Sequence, residues 1–175
     1  LLNLLDVYGP QPEYPADFAA RVYKISRDSQ GNRLTWLKVT GGELKVRTAL
    51  GYSNRRGEQR EEKILQLRRY SGEKFTAPDT VAAGQLIAVT GLSETWAGQG
   101  LGAEGNILPP ALEPVMTYRV NLPKGADPAV VLPKLRLLEE EDPQLHLVSD
   151  RGQIHVQIMG KVQQEIFRSQ VAQRF

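Results

Sequence analysis

Two glycine-rich stretches and a set of arginines are the places where this sequence could do chemistry. Gly98-Gln99-Gly100-Leu101-Gly102 has the glycine density of a loop that cradles phosphate. It lacks the trailing Lys and Ser/Thr of a P-loop and does not fit G-x-G-x-x-G, so its spacing predicts a turn within a β-structure instead. Gly160-Lys161 is followed by Val162 rather than a hydroxyl residue, and is no P-loop either. His146 and His155 fall out of phase with the apolar residues around them and are expected on the less buried face of a hairpin, not as metal ligands. Glu139-Glu140-Glu141-Asp142 reads as an acidic helix end suited to solvent rather than to acid–base pairing. The chain has no Cys, which excludes disulfides, thiol catalysis and thiolate zinc sites. No nucleophile–base arrangement is legible, so the residues point away from catalysis, a resident cofactor or a metal in this chain.

Charge is more informative than any of these motifs. The net charge of +2 hides an uneven distribution. Residues 18–74 carry fourteen Lys and Arg against six acids, whereas residues 75–113 carry four acids and no base. A local surplus of that size suits a phosphate-rich partner, with solvated decoration of a β-domain as the plain alternative. Arg55, Arg56 and Arg60 fall within six positions on a polar stretch, and three guanidiniums so placed can approach phosphates bidentately. Glu58, Glu61 and Glu62 sit among them, so a salt-bridge network within the loop is the competing reading. Arg68 and Arg69 on the following strand are the next candidates for nucleic-acid contact.

The elements that position these residues change character twice along the 175 residues. Leu1, Leu4, Leu5 and Tyr8 follow helical spacing and Gly9-Pro10 stops it, which suggests the end of a helix in a longer chain. Prolines at 10, 12 and 15 predict a stiff linker. From Asp17 to Leu108 short β-like runs alternate with turn residues: Phe18–Ile25, Leu34–Thr40, Leu44–Leu50, Lys63–Tyr70 and Leu86–Val89. Gly51–Glu62 reads as an exposed loop between them. Such spacing without helical periods favours a small closed β-barrel. Beyond Leu108-Pro109-Pro110, Val115–Leu122 alternates like a strand, and Asp127-Pro128 is a cap for a helix reaching about Asp142. Pro133 within that span predicts a kinked first turn or a later start. A hairpin through Asp150-Arg151-Gly152 and a helix over Lys161–Arg174 complete a β-α-β-β-α order, one strand short of a split β-α-β fold. The expected division is therefore 1–14 as tail and linker, 15–108 as barrel and 109–175 as an incomplete ferredoxin-like domain. No apolar run approaches the length of a membrane span, and no secretory leader opens the chain.

Several runs, in order, resemble the translational GTPases of the elongation factor G superfamily. Phe18–Ile25 is similar to the first strand of that family's barrel domain, and Arg33–Leu44 to its Arg-x-Tyr-Ser-Gly-x-Leu strand-turn-strand. Val81–Leu92 is similar to its Ala-Gly-Asp-Ile-Val-Ala-Val-x-Gly-Leu element. Leu112-Glu113-Pro114-Val115 resembles the opening of the third domain, and Leu138–Pro143 its Leu-x-Glu-Glu-Asp-Pro. Where elongation factor G would have Gly-Glu-Leu-His-Leu-Glu, the chain has Gly160-Lys161-Val162-Gln163-Gln164-Glu165. That run resembles the tetracycline-resistance ribosomal protection proteins.

The resemblance implies a fragment that binds the ribosome, touching small-subunit ribosomal RNA and a small-subunit protein, with no DNA or membrane partner and a cytoplasmic setting. It implies that GTP and Mg2+ belong to a preceding domain of the parent, which would be the GTPase, and that this fragment is no enzyme. The alternatives are a fragment of an elongation factor G-like translocation factor, or a purely structural two-domain interaction module. A stand-alone enzyme on a barrel would need a pocket with convergent titratable groups, and the sequence shows no sign of one.

Overall fold

The structure, a computed structural model, describes residues 2–9, 12–107 and 113–175. These form two compact units, the first drawn from residues up to Ile107 and the second from the C-terminal part of the chain. The expected boundary between residues 108 and 109 lies outside the described residues, as do Leu1, Pro10 and Gln11 of the expected tail and linker. A short helix, α1 (Leu2–Tyr8), stands where helical spacing predicts it.

The first unit is antiparallel β-structure. Its strands are β1 (Ala19–Arg27), β2 (Arg33–Gly41), β3 (Glu43–Lys45), β4 (Ala49–Ser53), β5 (Gln59–Lys63), β6 (Gln66–Ser71), β7 (Lys74–Thr76), β8 (Thr80–Ala82), β9 (Leu86–Thr90) and β10 (Gly100–Gly102). Six of them make one sheet in the order β10-β1-β2-β9-β6-β7, and β3–β8 and β4–β5 form two ribbons. Alternation builds the core: Leu37 and Val39 on β2 are buried, while Trp36 and Lys38, each preceding one of them, are not fully covered. Val22, Leu44, Ile64, Leu67, Val81, Ile87, Val89 and Leu101 are buried with them.

The hydrogen-bonded ladder runs open from β10 to β7, and a side chain bridges the gap between the chain before β10 and the β4–β5 ribbon. Gln99, 2% exposed, donates from Nε2 to the Ser53 carbonyl at 2.7 Å and accepts at Oε1 from the Trp96 N–H at 3.1 Å. Its own backbone carbonyl accepts from Val22 on β1 at 2.9 Å. Gly100 and Gly102, which follow it, sit where a Cβ would collide with neighbouring backbone. At Gly102 the backbone has φ +64°, and a Cβ would stand 2.2 Å from the Phe18 carbonyl oxygen.

Three expectations for this unit need correction. The stretch Leu44–Leu50 is not one strand. Arg47 takes φ +68°, which turns β3 into β4 while its N–H donates to the Ile64 carbonyl at 2.8 Å. Gly51–Glu62 is not a loop but most of the β4–β5 hairpin, with Tyr52 facing Arg60 and Leu50 facing Glu62 in register. Only Leu50 and Tyr52 of that hairpin are buried, so its alternation is thin in the sequence. Lys63–Tyr70 is broken after Lys63, where Leu65 N–H donates to Thr90 and starts β6 afresh.

In the second unit β11 (Met116–Arg119), α2 (Pro128–Glu141), β12 (His146–Asp150), β13 (Gln153–Ile158) and α3 (Lys161–Arg174) follow the expected order. The antiparallel sheet runs β11-β13-β12. Arg151 and Gly152, both at positive φ, make the two-residue β12–β13 turn. The helices cover the core of Leu135, Leu138, Leu145, Leu147, Ile154, Val156, Ile158 and Phe167. Asp127 caps α2 by accepting from the Ala129 N–H at 2.8 Å, and the helix begins at Pro128 and continues through Pro133. The acidic end of α2 does not simply face solvent. Glu141 pairs with Arg174 through two bonds of 2.8 and 2.9 Å, Glu139 accepts from the Leu147 N–H, and Asp142 accepts from Gln163.

Candidate nucleic-acid interface

The β4–β5 hairpin presents its arginines from a turn that its own sequence rigidifies. Asn54 Oδ1 accepts from the Arg56 and Glu58 N–H groups at 2.9 and 3.0 Å, and Gly57 supplies a φ of +81°. Asn54 Nδ2 donates in turn to Glu58 and Glu94. Arg60, on β5, donates from Nε to Glu94 at 2.8 Å and from Nη2 to Glu58 at 3.1 Å. Glu62 turns the other way, accepting from Tyr52 and from both the backbone and hydroxyl of Ser93. Arg55 and Arg56 are exposed at the tip, and the Arg55 guanidinium lies 6.0 Å from the Trp96 ring centroid. Glu58 and Glu62 of the hairpin thus engage Arg60 and Tyr52, and the ion-pair alternative applies to Arg60 far more than to Arg55 and Arg56.

Arg68 and Arg69 have different surroundings. Arg68, on β6, donates from Nη1 to Asp28 at 2.9 Å and from Nε to Gln66 at 2.7 Å, and its guanidinium lies 4.6 Å from the Phe75 centroid. The pair with Asp28 is largely covered, with 13% and 12% of the two side chains exposed. Arg69 is exposed and donates to Gln85 at 2.8 Å. The five arginines therefore fall into two groups with separate partners rather than one cluster. Sequence reasoning missed Glu94 and Trp96, which reach the hairpin from more than thirty residues away. It also missed an aromatic row beside Arg68, whose only signal was that Tyr23 and Trp36 are out of phase with buried neighbours.

Several carboxylates of this unit are tuned. Asp28 is driven well below the ordinary carboxylate range, first by the Asn32 side chain and then by Arg68. Hydrogen bonds from Arg60 and then Asn54 lower Glu94. Burial opposes ionisation of Glu62, but its bonds from Ser93 and Tyr52 outweigh that and the net shift is downward. Each group is more acidic folded than unfolded. Its stabilisation is complete above the unfolded value, about pH 4, and declines as the pH falls toward the folded value. Thermal melts should therefore show a midpoint that drops between about pH 5 and pH 3, with Asp28→Asn flattening the drop. A midpoint constant over that interval would refute the assignment.

His146 is exposed and His155 half-buried, and among the described residues no three His, Asp or Glu side chains converge as metal ligands. A hollow of about 580 Å³ in the second unit, between β11 and α3, is lined by Tyr118, Val156, Phe167 and Val171 with Arg119 and Arg168, and by no carboxylate or histidine. Among the described residues no helix is long and apolar enough to cross a membrane.

No family model matches the chain. It is similar to elongation factor G of Amoebophilus asiaticus, 30% identical over 171 residues that cover 94% of this chain and 24% of that protein. Elongation factor G 1 of Bdellovibrio bacteriovorus is 32% identical over 160 residues, covering 88% of this chain and 22% of the relative. The chain thus spans about a quarter of the length of these relatives. Among solved structures, a Thermus thermophilus protein superposes with a TM-score of 0.66 over 94% of this chain and 25% of its own, at 21% identity, and shares the fold.

Proposed function

We propose that this chain is the ribosome-engaging segment of a translational GTPase of the elongation factor G superfamily, made of a barrel domain (15–108) and a ferredoxin-like β-α-β-β-α domain (109–175). The observation that carries the reading is collinear similarity to elongation factor G over about nine-tenths of the chain. The parent would bind GTP and Mg2+ in a preceding domain and act in the cytoplasm. This segment would contribute contacts to small-subunit ribosomal RNA and a small-subunit protein.

Within the superfamily we assign the parent to the tetracycline-resistance ribosomal protection proteins, on Gly160-Lys161-Val162-Gln163. Gln163 has a definite task there: its Oε1 accepts from the Met159 N–H at 2.7 Å, closing the start of α3, and its Nε2 reaches Asp142. The second reading, an elongation factor G-like translocation factor, is favoured by the identity of 30–32% to proteins of that name. Release of ribosome-bound tetracycline by the full-length parent with GTP supports the first; translocation of tRNA without release supports the second.

Binding of the parent to small ribosomal subunits, measured across a salt series, tests the site. Phosphate contacts release counterions, so each one lost should reduce the log–log slope by about 0.7–0.9. Arg55→Ala with Arg56→Ala is expected to flatten the slope by about one to two units. Arg60→Ala should do less, because Glu58 and Glu94 already neutralise it. An unchanged slope in the double variant would show that the hairpin tip meets no phosphate.

A further inference from the structure

We propose that the outer face of the first unit's sheet is a stacking platform for unpaired RNA nucleotides, built from Tyr23, Trp36, Tyr70 and Phe75. The proposal rests on the reading of the chain as a ribosome-engaging segment and adds a site to it. The four rings come from four strands, β1, β2, β6 and β7, with successive centroids 6.4, 5.1 and 5.3 Å apart and tilts of 56°, 37° and 45°. Register explains how they meet. Trp36 and Arg68 both stand opposite Ala88 of β9, so Trp36 and Tyr70, two residues beyond Arg68 on β6, share one face of the sheet. Trp36 lies in the phase opposite to buried Leu37 and Val39, on the outer face.

Cross-strand aromatic pairs stabilise sheets, and such a row would serve that purpose alone if its rings covered one another. They do not. The end rings keep much of their surface in solvent, Tyr23 at 44% and Phe75 at 43% exposure. Arg68 is laid against Phe75 and held there by Asp28 and Gln66, which fixes the Phe75 end of the row. Bases stack on aromatic rings of this kind, and the contact is sequence-tolerant because every base has a π-face. Charge selects RNA over an apolar protein segment as the occupant. Three of the four rings come from residues 18–74, which carry a surplus of eight positive charges, and Lys38 shares the phase of Trp36 on β2. Unpaired nucleotides fit better than duplex, whose bases already stack on one another.

The two tryptophans separate this face from the hairpin tip. In Trp96→Phe the sole indole is Trp36, in the row; in Trp36→Phe it is Trp96, under Arg55. The 175-residue chain is titrated with single-stranded oligouridine and oligoadenine RNA, and with an RNA duplex of equal phosphate content. The expected result is saturable quenching of Trp36 by single strands and not by duplex. Phe75→Ser should weaken that binding about tenfold with circular dichroism unchanged, and Phe75→Tyr should restore it. Absence of Trp36 quenching, or equal quenching by duplex, overturns the proposal. So does a Phe75→Ser variant of the parent that loses affinity for ribosomal subunits while the same change leaves single-stranded RNA binding intact, since the occupant is then a protein. A parent that binds subunits with a steep salt slope while Trp36 stays silent retains the ribosome reading and loses the platform. Quenching without subunit binding does the reverse.

Discussion

Gln99→Met should destabilise the first unit by about 2–3 kcal/mol, although Met matches Gln in length and is apolar in a buried position. Of the two hydrogen bonds of the Gln99 amide, the one from Nε2 to the Ser53 carbonyl joins the chain before β10 to the end of β4. The one from the Trp96 N–H fixes the local turn that holds the amide in place. With a thioether in place, the Ser53 carbonyl and the Trp96 N–H lose their partners inside the fold, and each orphaned group costs about 1–3 kcal/mol. Urea unfolding followed by tryptophan fluorescence measures the effect, because both tryptophans lie in this unit. Gln59→Met is the control. Gln59 is exposed and donates only to the Ser53 hydroxyl, so its loss should fall within about 0.5 kcal/mol of zero. Equal effects at the two positions would mean that Gln99 fills space and does not close the barrel.

Phe167→Ala should cost the second unit more, about 3–5 kcal/mol. Phe167 is 6% exposed and joins Ile158, Val156, Leu138 and Leu135 in a core of eight buried side chains among the described residues. A small core has little else to redistribute into the void. The adjacent Ile166 is 51% exposed, so Ile166→Ala should change stability by no more than about 0.5 kcal/mol. This unit holds no tryptophan but contains α2 and α3, so the far-ultraviolet helix signal reports it. A Phe167→Ala chain whose helix signal melts where the unaltered chain melts would contradict the assignment of Phe167 to that core.

These two positions show what was legible in the sequence. The order β-α-β-β-α and the bounds of α3 were readable because caps, prolines and a two-residue turn are local signals. The strand-rich character of the first unit was readable for the same reason. Its broken strands were not, since Arg47 at positive φ has no marker such as glycine, and the three-residue strands β7, β8 and β10 are too short for alternation to register. At the candidate site the arginines were visible by count, but their partners were not. Glu94 and Asp28 reach Arg60 and Arg68 from 34 and 40 residues away, and only the fold brings them in. Gln99 was hidden inside a glycine run that invites a phosphate-loop reading, whereas its role is that of a crosslink.

The pairing of β1 with β10 also sets a timetable for the birth of this chain. Ala19 is opposite Gly102, so one edge of β1 has no partner until more than eighty further residues have been made. At about 5–20 residues per second, that interval is roughly 4–17 s. A hairpin such as β12–β13 closes in about 1–10 μs once its residues are free. The nascent first unit is therefore an unfinished sheet with a bare edge for seconds, and that edge can pair with a neighbouring nascent chain on the same message. Synonymous codons that slow elongation before β10 has emerged from the ribosome should lengthen this exposure and lower the soluble yield, while the same codons placed in α3 should not.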